Sequence, residues 1–170
     1  MVSFLLLAYF FLSPIYAAND TSSVSMLVPP ICKLTIEDSD QTINLIKDAS
    51  GEAAYEKGYI DGQKNKPVLI VDSNTFWKLS VRVSSDWNMV GSYKKDTEDL
   101  LLKITSDGGR QTGFNDFTSL SLYDQEVAFY KSGIGDDFYY GQYRILLNWE
   151  KDIPGNYTII IVFTLSTWQF

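Results

Sequence analysis

Polar and apolar residues alternate with a period of two along most of this chain, the pattern of half-buried β-strands. In the clearest case, every second residue from Trp77 to Val83 is large and apolar, and the residues between them are polar or charged. Every second residue from Tyr157 to Leu165 is also apolar, and the opposite side of this segment is mixed. The mixed side predicts a central strand that is partly covered on both faces.

Further segments carry the same short-strand signature and are separated by turn signals rich in Pro, Gly and Asp. They run from Ser23 to Val28 and over residues 32–37, 68–71, 100–105, 119–123, 126–132 and 143–149. Residues 49–56 are the best candidate for a helix, and residues 55–67 are predicted to form a polar surface loop. Together these segments predict an all-β fold, an antiparallel immunoglobulin-like β-sandwich of about eight to ten strands.

The beginning of the chain predicts export. Residues 4–12 form an apolar run, FLLLAYFFL, which is far shorter than the roughly 20 residues of a membrane-spanning helix. Ser13 and Pro14 follow it, and small residues near Ala17 suit a signal peptidase. We therefore expect residues 1–17 to be a signal peptide and residues 18–170 a single secreted domain at the cell surface. Because no Lys or Arg precedes the run, retention as an uncleaved anchor is the alternative.

Charge and cysteine content restrict the partners. The formal net charge is −7, and an acidic surface repels phosphate backbones, so we expect no nucleic-acid partner. Cys32 is the single cysteine, which leaves it without an internal disulfide partner. Its alternation with Lys33 and Thr35 predicts a side chain that faces the core, and an intermolecular disulfide is the alternative.

The residues that most enzymes use are missing from the sequence. It contains no histidine, which removes Ser-His-Asp and Cys-His catalysis and the common zinc sites. No phosphate-binding glycine loop is present, so we expect no cofactor, no metal site and no enzyme activity. Paired acids keep a glycosidase open as an alternative, with the candidate pairs Asp136 with Asp137, Asp38 with Asp40, and Glu150 with Asp152. Asp136 and Asp137 could also begin a calcium site.

Aromatic residues in turn-rich stretches are the candidates for ligand contact, because their rings stack on sugars and anchor protein contacts. The broader set of exposed candidates also includes Tyr93, Phe114 and Phe117. The ligand-binding candidates are Trp77, Trp87, Phe138, Tyr139 and Tyr140. The run from Phe138 to Tyr140 has a second interpretation, in which it begins the next strand.

Two sequence motifs resemble those of bacterial WxL cell-surface domains. Trp77-Lys78-Leu79 is a literal W-x-L, and the closing segment Phe163-Thr164-Leu165 follows the phrase IPGNYT of residues 153–158. The second motif has Phe163 where the family has tryptophan. The resemblance implies a secreted domain that is held non-covalently on a cell wall with peptidoglycan as ligand. Alternation places Trp77 on the core side, so its roles as a packing residue and as a ligand contact are both open.

These observations predict a cell-surface binding or anchoring module that recognises a cell-wall polymer or a surface protein. The alternative is a structural subunit of an extracellular fibre or surface layer. In that case the segment from Ser23 to Val28, set apart by Pro29 and Pro30, would complete the sheet of a neighbouring copy. A glycosidase without histidine is the third hypothesis.

Overall fold

The fold is built from two antiparallel sheets, as the alternation predicted. The computed structural model describes residues 25–37, 52–107, 111–130 and 136–167. The predicted signal peptide lies outside these ranges. The described strands are β1 (Cys32–Ile36), β2 (Tyr59–Asp61), β3 (Val68–Ser73), β4 (Trp77–Val83), β5 (Leu100–Ser106), β6 (Thr118–Ser119), β7 (Gln125–Tyr130), β8 (Asp136–Leu146) and β9 (Ile161–Thr167). The all-β sandwich is confirmed, and its immunoglobulin-like connectivity stays a prediction.

The larger sheet is organised around β8. Its strand order is β1-β3-β8-β5-β6, and the short strand β2 also pairs with β8. One edge of β8 is shared, since β3 pairs with its first half and β2 with its last residues. The other edge pairs with β5 over seven residues, from Leu100 opposite Ile145 to Ser106 opposite Tyr139.

The smaller sheet has the order β7-β4-β9. Strand β4 is its centre, and it pairs with β9 from Trp77 opposite Thr167 to Val83 opposite Ile161. The prediction that the last strand is central is wrong for the described residues, because β9 pairs only with β4 there. Residues 157–160 lie outside the strand, and the carbonyl oxygens of Thr158 and Ile160 accept hydrogen bonds from the N–H groups of Asn88 and Ser84.

The core lies between the inner faces of the two sheets. Strand β4 contributes Trp77, Leu79, Val81 and Val83, each at most 2% exposed. The Trp77 ring meets the Tyr139 ring of β8 edge to face, with centroids 6.1 Å apart. Side chains of β3, β5 and β7 complete this core. Burying the apolar face of each sheet against the other is the main stabilising contribution to such a sandwich.

Several element boundaries differ from the prediction. Strand β8 begins at Asp136 and not at residue 143, so the second interpretation of the aromatic run is the correct one. Strand β2 lies inside the predicted loop, and β6 is shorter than predicted because residues 120–124 turn toward β7. Residues 25–28, the described part of the predicted first strand, are exposed and form no strand.

Within the residues that the structure describes, one short α-helix and a 3₁₀ turn (Thr97–Asp99) accompany the sheets. Helix α1 (Glu52–Lys57) overlaps the predicted helical segment and leads into β2 through Gly58, whose φ of 78° is readily adopted by glycine. No helix in the described part of the chain is long and apolar enough to cross a membrane.

Candidate functional site

The aromatic residues of β8 alternate between the core and the surface. Tyr139 is fully buried, and Tyr143 is also part of the core. Phe138 and Tyr140 point to the other side, the outer face of the six-stranded sheet, where each is half-buried. The expectation that Tyr139 is exposed is wrong, because a strand sends neighbouring side chains to opposite faces.

The two tryptophan candidates lie in the interior. Trp77 is 2% exposed and packs on Tyr139, which is the position of a core residue. Trp87 is 5% exposed, and its indole Nε1 donates a hydrogen bond to the carbonyl oxygen of Asp96 at 3.0 Å. The expectation of exposure is therefore wrong for Trp87, and it is also wrong for Phe114, which is 1% exposed. Neither tryptophan presents a ring to a ligand in this structure.

The outer face of the six-stranded sheet brings Phe138 and Tyr140 together with apolar neighbours. Phe138 lies opposite Ile70 of β3. Tyr140 lies between Val68 of β3 and Thr105 of β5. Since these positions are half-buried, their side chains leave part of each ring accessible along the sheet.

Arg144 extends this aromatic row toward β2. Its guanidinium lies 3.8 Å from the ring centroid of Tyr59 and 3.9 Å from that of Phe117. The Asp61 carboxylate fixes the guanidinium in place, because it accepts hydrogen bonds from Arg144 Nε at 2.6 Å and from a terminal nitrogen of Arg144 at 3.3 Å. The β2–β8 register places Asp61 directly opposite Arg144, so the local pairing creates the ion pair. A bidentate carboxylate and cation–π stacking together hold the planar guanidinium rigidly.

We call this surface the outer aromatic face. It consists of Tyr59, Phe117, Phe138, Tyr140 and Arg144. The part on β8 runs from residue 138 to residue 144, which spans about 20 Å at the usual rise of a strand. Rings in a row with a fixed planar cation suit an extended ligand with ring faces and hydrogen-bond acceptors.

The sequence pointed to only part of this face. Phe138 and Tyr140 were candidates, and Phe117 belonged to the broader exposed set. Tyr59 and Arg144 were missed because their neighbourhood comes from the pairing of β2 with β8. A signal was present, since Tyr59 and Asp61 flank Ile60 between two glycines in the pattern of a short strand.

A second cluster, which we call the Lys95 cluster, lies where the loops 84–99 and 147–160 meet. The ammonium group of Lys95 contacts Asp152 at 3.0 and 3.1 Å and Asp99 at 3.0 Å. The side chains of Lys95 and Asp152 are only 3% and 4% exposed. The Tyr93 hydroxyl donates to Asp152 at 2.7 Å, and the backbone N–H of Asn148 donates to the same carboxylate at 2.9 Å.

The pKa values of this cluster follow from its burial and hydrogen bonds. Burial opposes ionisation of Asp152, but the donors from Asn148 and Tyr93 and the charge of Lys95 outweigh it, so its pKa lies below the usual value. Burial raises the pKa of Tyr93, and the hydrogen bond to the Asp152 carboxylate raises it further. At neutral pH Asp152 is therefore ionised and the Tyr93 phenol is protonated.

An open cleft of about 410 Å³ adjoins the cluster, and Asp86, Lys94 and Lys151 contribute to its lining. Since the cations and carboxylates of this cleft are largely paired with one another, we interpret the cluster as a structural tie between the two loops. Among the described residues, no three His, Cys, Asp or Glu side chains are close enough to hold a metal ion.

Taken together, the fold and the face define an all-β sandwich with an aromatic outer surface. A comparison of the chain with known protein families and with curated proteins finds no match. The resemblance to WxL domains therefore stays a prediction that depends on the motif residues alone.

Proposed function

We propose that this protein is an extracellular binding module that attaches non-covalently to a cell-wall polymer through the outer aromatic face. The single observation that carries the proposal is the row of Phe138, Tyr140 and the stacked Arg144 on one side of a rigid sheet. Rings on a regular strand keep their spacing, so they match a ligand that repeats along its length. The predicted signal peptide supports the extracellular setting.

The strands of this side of the sheet are less acidic than the chain as a whole. The register places Lys33, Lys103 and Arg144 on the outer face, together with the acidic positions Asp61, Asp72 and Asp136. These strands therefore carry as many cationic as acidic positions on this face, whereas the whole chain has a formal net charge of −7. Cationic groups beside aromatic rings bind sugar polymers that carry carboxylates or phosphates.

The proposal is tested by cosedimentation of the purified protein with isolated cell-wall material. Phe138→Ala and Tyr140→Ala should each weaken binding by about fivefold to tenfold, the equivalent of roughly 1 kcal/mol for each stacked ring. Phe129→Ala is the matched control, because Phe129 is 53% exposed on the outer side of the other sheet. Binding that all three variants retain equally would refute the assignment of the face.

Two competing results are also informative. The protein could bind a surface protein and not the wall polymer, and lose this binding in Tyr140→Ala. That result would support the outer aromatic face as the binding site and identify a protein as its ligand. The protein could instead release soluble sugar from the wall material and lose this activity when Asp137 is substituted. That result would favour the glycosidase hypothesis over the binding module. We expect neither result.

A further inference from the structure

The residues before β1 expose an unusual amount of apolar surface. Residues 25–31 form no helix or strand and are exposed, and Met26 and Leu27 are 83% and 92% exposed. Asn74 holds the end of this segment, accepting from the Ile31 N–H at 2.6 Å and donating to the Pro29 carbonyl at 2.9 Å. The hydrogen bonds of Asn74 therefore hold the end of the segment next to β1. The apolar side chains of Met26 and Leu27 contact little of the described chain.

Strand β9 forms an edge of the smaller sheet, and β1 of the larger sheet lies close beside it. Within the described ranges β9 pairs with β4 alone. Its sequence, IVFTLST, contains no charged residue and no proline. Proteins normally protect edge strands with lysine, proline, bulges or very short length, because an open edge pairs with other chains. By contrast, the other edge strand of this sheet, β7, carries Glu126.

The core beside β9 is incompletely covered by the described residues. The inward side chains of β1 and β9 are only half-buried, whereas those of the central strands are almost fully buried. These half-buried residues are Cys32, Leu34, Ile36, Ile161, Phe163 and Leu165. The opposite side of the sandwich is closed, because the loop around Gly113 bonds to Val127 of β7 and Phe114 bonds to Ile104 of β5. We call the half-buried side the β1–β9 seam.

We propose that residues 25–28 of one copy of this protein add as a strand to the β9 edge of a second copy and cover the β1–β9 seam. The occupant is a second copy because the chain supplies both halves of the contact, an exposed apolar segment and an uncharged edge. The Asn74 anchor and the consecutive prolines Pro29 and Pro30 direct the segment away from its own core. Since donor and acceptor are different surfaces, the contact repeats head to tail, which gives an open chain or a closed ring of copies.

The first experiment is sedimentation of the purified protein over a concentration series. The wild-type protein should form dimers and longer species, and Leu27→Lys should raise the dissociation constant at least about tenfold. Tyr123→Lys is the matched control, because Tyr123 is also a large exposed residue, at 82%, but lies in the β6–β7 turn. A wild-type monomer at every concentration, or equal loss in both variants, would overturn the proposal.

A cysteine pair tests the geometry directly. Met26→Cys and Thr164→Cys, whose side chains would share the outward face when Leu27 covers the seam, are made separately in a Cys32→Ser background, and the two proteins are mixed under mild oxidation. We expect a disulfide-linked dimer that contains one copy of each variant, in at least about tenfold excess over either symmetric dimer. Absence of this mixed dimer would contradict strand addition at β9. A doubly substituted chain that closes its disulfide within one copy would also contradict it.

Discussion

The Lys95 cluster offers the sharpest test of how the two loops are held together. In Lys95→Met the side chain keeps its length and loses its charge, which leaves the Asp152 carboxylate 4% exposed without its cation. Breaking a buried pair from one side costs about 3–5 kcal/mol, and the remaining donors from Asn148 and Tyr93 place the expected loss near the lower end, about 3 kcal/mol. This is a large part of a typical stability of about 5–15 kcal/mol.

The loss is measured by urea unfolding, monitored by tryptophan fluorescence at pH 7 and again near pH 4. At the lower pH the unpaired Asp152 binds a proton, so the penalty of Lys95→Met should shrink. Lys94→Met is the control, because Lys94 pairs with Asp86 at the surface, where an ion pair contributes at most about 1 kcal/mol. Adding Asp152→Asn to Lys95→Met should recover part of the stability. A Lys95→Met loss no greater than that of Lys94→Met would refute the reasoning.

The remaining predictions concern the core and alkaline pH. Trp77→Ala should lower the free energy of unfolding by about 3–5 kcal/mol, since the ring is 2% exposed and packs on Tyr139; a smaller loss in chemical denaturation would favour a ligand role. Gly113→Ala should lower the melting temperature strongly, because a Cβ there meets the backbone of Glu126, and an unchanged melting temperature would contradict this close approach. The pKa of Tyr93 is raised, so its contribution is complete below about pH 10 and is lost as the pH rises further; Tyr93→Phe should flatten this alkaline loss in a pH series of unfolding curves.

The sequence predicted the parts of the fold that have a local cause. Strict alternation identified β4 and the inward face of β1, with Cys32 on the core side. Strand β8 was underestimated because Asp136, Asp137 and Gly141 resemble turn residues. In the structure Gly141 is needed where Pro67 approaches the strand, since an added Cβ would collide with the proline ring.

The candidate sites were harder to predict because they depend on contacts between residues that are far apart in the sequence. Lys95 and Asp152 lie on different loops, and each looks in the sequence like an ordinary solvated charge. Trp87 was expected to be exposed because it lies in a turn-rich stretch, yet its indole is enclosed by its own loop and by Tyr157. Only the three-dimensional arrangement determines which charged and aromatic residues lose their contact with water.

The central place of β8 has a consequence for the order in which the chain acquires structure. This strand bridges β3, β2 and β5, so the larger sheet lacks its middle until residues 136–146, in the last fifth of the polypeptide, have been synthesised. Strands β1 and β3 precede it and pair with each other, but two strands alone have marginal stability. Closure of the sheet therefore waits for contacts that are remote along the chain, which slows folding. Such late closure is compatible with the export proposed above, because a chain must be unfolded to pass through a translocation channel.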